Sequence, residues 1–308
     1  MPELPEVETV RRMLEAHVVG RRIRAVKLSG LGLRGGESPR SVPRRVKDRR
    51  IEKLERHGKY LLIGLSDGIT LLSHLGMSGR WLFHTEPPGR APKHVHVRIA
   101  FDDGTELWFE DPRRFGMLRA VETAKRYDDP ALAILGPDPL ANAPDPEALA
   151  TAARGLKVAI KNFLLDQKRI AGVGNIYASE VLHRALVDPR RRAGTIDSAE
   201  WKTIADEIVA VLGEAVDRMG TTFSMYRTLW NEPGQYGERL LVYDRAGEPC
   251  RRCGGPVRRI VQGQRSTYFC PKCQSRAKTE RIPHKTAAPR SKNRSRNPLP
   301  RGRRTPTL

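Results

Sequence analysis

The last quarter of the chain carries all four of its cysteines, in the spacing Cys250-x2-Cys253-x16-Cys270-x2-Cys273. Each pair puts two thiols on one tight turn, and four thiolates so arranged can surround a single tetrahedral ion. One structural Zn2+ is the expected occupant, with no ligand position left open for chemistry. A free-thiol ribbon or an iron site is the alternative. Between the pairs, Pro256 to Val261 and Ser266 to Phe269 read as two strands joined by Gln262-Gly-Gln264. Arg265 near the hairpin tip is either a phosphate contact or a solvated arginine. Paired cysteines confined to one short module fit a reducing compartment better than a disulfide framework.

The other end of the chain is equally distinctive: Met1-Pro-Glu-Leu-Pro-Glu-Val-Glu-Thr9. Proline beside the start methionine invites aminopeptidase trimming, which leaves Pro2 as a free secondary amine. An α-amino group titrates near about 8, so an appreciable fraction is neutral at cell pH. A neutral amine beside the carboxylate of Glu3 is the equipment for Schiff-base chemistry on a sugar carbon. The bland alternative is a solvated, trimmed terminus. Pro5 suits a first helical turn. Val7, Val10, Leu14 and Val18 recur at three- and four-residue spacing, which predicts a helix with one buried face.

A chain of 308 residues has room for about two domains. Lys and Arg number 56 against 35 Asp and Glu, a net of +21, which points to a polyanionic partner, nucleic acid first. Residues 276–308 hold eleven Lys or Arg and one Glu, so the tail carries +10 and the remainder +11. The absence of an apolar run of about eighteen residues argues against a membrane span. The acidic start is unlike a secretory signal.

Residues 20–125 read as short strands and turns. Tyr60–Leu65 and Ile69–Leu72 flank Ser66-Asp-Gly68, and His94–Phe101 and Glu106–Phe109 flank Asp102-Asp-Gly104, two hairpins of a β-sandwich. Asp128-Asp-Pro130 and the stretch from Pro137 to Pro146 read as a linker. Helical pattern begins near 150, with Leu156, Ile160, Phe163 and Leu164 on one face. Gly172 and Gly174 are expected to end one helix and Asn175 to begin the next, while Ser198 is the expected cap of a helix over 198–219. Residues 221–237 read as a mobile loop. The composition predicts an N-terminal sandwich domain at 2–136, a helical domain at 150–237, a zinc module at 238–275 and a disordered basic tail at 276–308. The tail either adds phosphate-neutralising charge or is a dispensable extension.

Several local motifs carry candidate chemistry, each with an ordinary structural reading beside it. Lys59, at the head of a strong strand, is a point charge suited to a phosphate or else a surface lysine. Met77 in His74-Leu-Gly-Met-Ser-Gly79 projects from a turn and suits a wedge into a base stack. Asp111-Pro-Arg-Arg-Phe-Gly116 is a second turn with an aromatic and two guanidiniums. Amides at a helix start, with Asn175, suit a phosphate, or the segment is only a glycine-rich connection.

Taken in order, these strings resemble the formamidopyrimidine-DNA glycosylase family over about residues 1–275. The resemblance implies an α+β multidomain fold: an N-terminal β-sandwich with a flanking helix, a helix–two-turn–helix domain and a C-terminal zinc finger. It implies a bifunctional glycosylase and AP lyase that removes oxidised purines from duplex DNA by base excision repair. The implied enzyme is monomeric, bacterial, cytoplasmic and nucleoid-associated, with one structural zinc. Pro2 would be the nucleophile, Glu3 the proton donor, Lys59 the group serving β-elimination and Arg265 the finger arginine of the later elimination. Met77, Arg113 and Phe115 would fill the void left by an extruded base, and His94 would contact DNA. Leu156 stands where the family often has a basic contact, so Arg154 or Lys157 would substitute. Met225 and Asp244 depart from the family pattern, in a lesion-capping loop over Gly220–Tyr226 and in Val242-Tyr-Asp-Arg245. The alternatives are the sister glycosylase similar to endonuclease VIII, which prefers oxidised pyrimidines, and a non-catalytic zinc-ribbon DNA-binding protein.

Overall fold

The computed structural model describes residues 1–33, 41–222 and 226–275; Met225 and the tail 276–308 lie outside them. Helix α1 (Leu4–Val18) starts almost at the terminus, with Pro5 in its first turn where a missing N–H costs nothing. Its buried stripe of Val7, Val10, Leu14 and Val18 faces a sandwich. The sandwich strands are β1 (Ile23–Leu28), β2 (Ile51–His57), β3 (Tyr60–Leu65), β4 (Ile69–His74), β5 (Arg80–His84), β6 (Val95–Phe101), β7 (Glu106–Glu110) and β8 (Met117–Glu122), with a short helix α2 (Ser41–Val46) between the first two. One sheet has the order β1-β6-β7-β5 and the other β2-β3-β4-β8, every pairing antiparallel. Val26, Phe83, Val97 and Phe109 of the first meet Leu54, Leu61, Ile63 and Leu118 of the second, closing a core with the α1 stripe.

The helical half comprises α3 (Pro146–Ala153), α4 (Ile160–Leu164), α5 (Asn175–Arg184) and α6 (Ser198–Asp217). Phe163, Ile170, Tyr177, Val181, Trp201 and Ile208 form its core. Two boundaries differ from expectation. The cap of α6 is Asp197, whose carboxylate accepts the Glu200 N–H while Glu200 accepts the Asp197 N–H, a reciprocal box that outcompetes Ser198. The helix expected to run up to Gly172 stops at Leu164. Residues 165–174 are irregular instead, held by Gln167, which accepts the Gly172 N–H and donates to the Val173 carbonyl.

The expected mobile loop is also tied down at its described positions. Tyr226 and Leu229 are buried in the sandwich core, and Tyr236 in the helical one. Trp230 packs edge-on against His17, 4.9 Å between ring centres. These apolar anchors outweigh the turn-forming Asn231, Pro233 and Gly234 around them. The zinc module adds the hairpin β9 (Arg258–Gln262) and β10 (Arg265–Phe269) over a small core of Val242, Val257 and Tyr268. Among the described residues no helix is long and apolar enough to cross a membrane.

Leu4 is the exception within α1. It is fully buried, yet it belongs to the core of the helical half and not to the sandwich that holds the rest of its helix. Truncating it leaves a cavity where two halves of the protein are pinned together. Leu4→Ala should cost about 3 kcal/mol, visible as a lowered urea midpoint; a loss below about 1 kcal/mol would mean that this plug is unimportant.

Candidate active site

The terminus and the Gly172-Val-Gly174 turn are built as complementary surfaces. The Leu4 N–H donates to the Gly172 carbonyl at 3.1 Å. Gly172 has φ +93°, and a Cβ there would sit 2.5 Å from Leu4. At Gly174 a Cβ would collide with the Glu3 carboxyl carbon. The space those two side chains vacate is filled by Glu3 and Leu4. The Glu3 carboxylate accepts from the Ile176 N–H at 3.1 Å and the Tyr177 N–H at 3.5 Å, the free donors of the first turn of α5. Expected to receive a phosphate, these two amides are instead occupied by Glu3. Pro2 is buried beside it, and Met1 is half exposed.

Basic groups converge on the same place. Lys59 is buried and its Nζ lies 3.4 Å from the Val173 carbonyl. Burial pulls its ammonium below the usual lysine range, the negative charge of Glu3 resists, and Arg265 adds to the drop. Lys161 is fully buried and donates to Asn175 Oδ1 at 2.7 Å, the Ser266 carbonyl at 2.9 Å and Thr267 Oγ1 at 2.7 Å. Burial, opposed by Glu3 and reinforced by Arg265, brings it down to about 7. Asn175 Nδ2 also donates to the Ser266 carbonyl, so this side chain joins the helix start to the finger hairpin. Arg265 is exposed at the head of β10. Glu3, Lys59, Asn175 and Arg265 thus form one neighbourhood, drawn from residues scattered over the whole sequence.

Met77, Arg113 and Phe115 form a second group. Met77 is 40% exposed, and the Arg113 guanidinium lies over the Phe115 ring at 4.7 Å. Their two turns share one fully buried anchor, Asp111. Its carboxylate accepts from Ser78 Oγ at 2.5 Å, from the Gly116 N–H at 2.7 Å and from the Arg113 N–H at 3.3 Å. The Asp111 N–H in turn donates to the His94 carbonyl. Arg154 and Lys157 are exposed between α3 and α4.

The four cysteine sulfurs lie within 4.8 Å of one another. Tetrahedral zinc with Zn–S near 2.3 Å needs sulfurs about 3.8 Å apart; Cys250–Cys273 stand at 3.9 Å and Cys253–Cys270 at 3.4 Å. The set fits one structural zinc. Asp244, one of the two departures from the family pattern, adopts φ +60°, and its carboxylate accepts from the Tyr268 hydroxyl at 3.1 Å.

Sequence reasoning passed over Glu6, Lys161 and Asp111. Glu6 is buried and accepts from the Glu3 N–H at 2.7 Å, the Tyr177 hydroxyl at 2.5 Å and the Thr221 N–H at 2.7 Å. Burial first, then the neighbouring charge of Glu3, raises its carboxyl to about 7. A signal was present, because Glu6 sits in the opening string and Asp111 in the quoted turn, among residues chosen for exposure.

Residues 1–118 match the formamidopyrimidine-DNA glycosylase N-terminal domain, 135–227 the H2TH domain of the same enzymes, and 247–276 the zinc finger found in FPG and IleRS. The chain is 44% identical over 276 residues to the formamidopyrimidine-DNA glycosylase of Methylococcus capsulatus, covering 89% of this chain and 100% of that protein. Its structure resembles that of a Lactococcus lactis FPG point mutant in complex with Fapy-dG-containing DNA, with TM-score 0.83 and 31% identity over 89% of this chain and 100% of that one. A MutM (FPG) protein from Thermus thermophilus is similar at TM-score 0.78 and 39% identity over 89% and 98%.

Glu6 makes a pH prediction. Its carboxyl rises from 4.5 when unfolded to about 7 when folded, so the folded state holds the proton more tightly. That contribution is complete below pH 4.5 and is lost as pH climbs through about 7. The stability of wild type relative to Glu6→Gln should therefore fall by about 3 kcal/mol between those limits, read by denaturant titration. A pH-independent difference would exclude the assignment.

Proposed function

Because the chain belongs to the formamidopyrimidine-DNA glycosylase family, it is a DNA glycosylase and AP lyase of base excision repair acting on duplex DNA with an oxidised base, and we propose that its nucleophile is the amine of Pro2. The observation that carries this reading is the convergence of the buried chain terminus, Glu3 and Lys59 with the exposed Arg265 in one positively charged site. We take oxidised purines as the substrate and the bacterial nucleoid as the place of action.

A base cannot be attacked inside the stack, so the nucleotide is extruded. Met77, Arg113 and Phe115, braced by Asp111, occupy the gap, with Arg113 offering hydrogen bonds to the orphaned base. His94, Asn175 and one of Arg154 or Lys157 contact the DNA backbone. Once Met1 is removed, the neutral Pro2 nitrogen attacks the anomeric carbon. Glu3, adjacent in the chain and pinned by Ile176 and Tyr177, supplies a proton to the departing oxygen or base. The nitrogen–carbon bond replaces the base–sugar bond, and ring opening gives an iminium. A secondary amine yields a permanently cationic iminium, which acidifies the neighbouring sugar hydrogen. Loss of that hydrogen to a base expels the 3′ phosphate by β-elimination, a step Lys59 serves, because burial makes its ammonium give up a proton more readily and so exposes a neutral amine that can take the hydrogen. A second elimination, served by Arg265, expels the 5′ phosphate. Zinc shapes the finger that presents Arg265 and takes no part in these steps.

Borohydride added during turnover of 8-oxoguanine duplex should trap one covalent protein–DNA adduct, mapped to residue 2 by mass spectrometry. An N-terminally extended chain should give none; an adduct on any other side chain overturns the proposal. Gly174→Ala pushes Glu3 from its amide seat, and should lower single-turnover base release at least about 100-fold with the fold intact by circular dichroism. Near-normal release would show that the seat is dispensable.

A further inference from the structure

His183 lies in the last turn of α5, 1% exposed, and has no part in the chemistry above. Its Nε2 is 3.4 Å from Cys250 Sγ, and its Nδ1 is buried with no hydrogen-bond partner among the described residues. The two tautomers are unequal in such a setting. A proton on Nδ1 would bury an orphaned N–H and turn the bare Nε2 lone pair toward the sulfur. A proton on Nε2 leaves only one lone pair unanswered and aims a donor at the sulfur. The second arrangement is the stable one, and the separation suits an N–H···S bond. We propose that His183 is a positioning residue of the zinc centre, donating its Nε2–H to the Cys250 thiolate and fastening the ligand set to the helix whose other end seats Glu3.

Two further contacts place the helix and the zinc loops in one rigid join. Gln274 is fully buried, donates to the Val187 carbonyl just past α5 at 2.9 Å, and accepts the Cys270 N–H at 2.8 Å. Each cysteine pair is thereby gripped from the same helix end, Cys250 through His183 and Cys270 through Gln274. A thiolate that receives a hydrogen bond bears less concentrated charge and is held in the orientation its metal requires, and loss of such a partner typically costs 10- to 100-fold in metal affinity.

The experiment uses the full-length, zinc-loaded protein and follows zinc transfer to a colorimetric chelator. His183→Phe keeps the volume and deletes the donor, and zinc release should accelerate about 10-fold or more. His183→Gln, which can still present an N–H, should release zinc close to the wild-type rate. Release from His183→Phe within about twofold of wild type overturns the proposal. So does a His183→Gln variant as leaky as His183→Phe, because packing and not the donated hydrogen would then be the cause. Should the phenylalanine variant fail to fold, wild-type protein loaded with cadmium-113 and labelled with nitrogen-15 histidine decides. A protonated Nε2 with scalar coupling to the metal is expected, and a deprotonated Nε2 refutes the assignment.

Discussion

A carboxylate from residue three sits against the first turn of a helix that begins 172 positions later in the chain. Everything else at the active site depends on that contact. The first amides of α5 have no partners within their own helix and carry its positive dipole end. Glu3 satisfies two of them at once, and the absence of a side chain at Gly174 is the condition for its approach. A chain terminus is ordinarily the least ordered part of a domain. Here Leu4 is sunk into the helical core and Val7, Val10 and Leu14 into the sandwich, so the terminus is clamped from two sides. The nucleophile proposed for Pro2 would need this support, since as the end of a chain it would have no backbone on its other side to hold it.

Positive charge then concentrates around the one seated acid. Two buried ammonium groups, Lys59 and Lys161, lie within electrostatic reach of Glu3 and of Arg265. Burial penalises both, and Glu3, Glu6 in the case of Lys59, and a ring of carbonyl, amide and hydroxyl oxygens oppose the penalty. An anionic phosphate entering this space would relieve the lysines by supplying the missing negative charge. The concentration of positive charge is thus one that a phosphate of DNA would offset, the more so because Arg265 approaches from a separate module.

Much of this was legible in the sequence. The periodic valines of α1, the two hairpins and the cysteine spacing each express a local rule, and each element formed where its pattern lies. Met77, Arg113 and Phe115, quoted from two turns, do come together, because both turns hang on Asp111; their part toward DNA is the one proposed above. The cap of α6 was a local rule misread, since Asp197 forms a reciprocal box with Glu200 three residues on. Local rules failed where tertiary contacts decide. Residues 221–237 were expected to move, yet at the described positions Tyr226 and Leu229 are buried in the sandwich core and Tyr236 in the helical one, contacts that no local pattern announces. Glu6 was quoted in the opening string and Lys161 lies among apolar residues, but a charged side chain carries no mark of burial in its own sequence.

The two acids passed over, Glu6 and Asp111, share a physical function with Asp138 and Glu180. Buried backbone N–H groups must find acceptors, and at the junctions between modules no strand ladder or helix supplies them. Buried carboxylates do so instead. Glu6 accepts from the amides of Glu3 and Thr221, Asp138 from those of Gly58 and Leu140, Asp111 from those of Arg113 and Gly116, and Glu180 from those of Leu241, Val242 and Tyr243. Every one of these junctions leads to a residue of the candidate site: the terminus, Lys59, the Met77–Arg113–Phe115 group or the finger. An acid in such a position is costly to bury and more costly to replace, because its removal strands two or three amides together. The exposed groups proposed to meet DNA can therefore sit on irregular backbone and still be held, because the backbone beneath them is hydrogen-bonded to a buried acid.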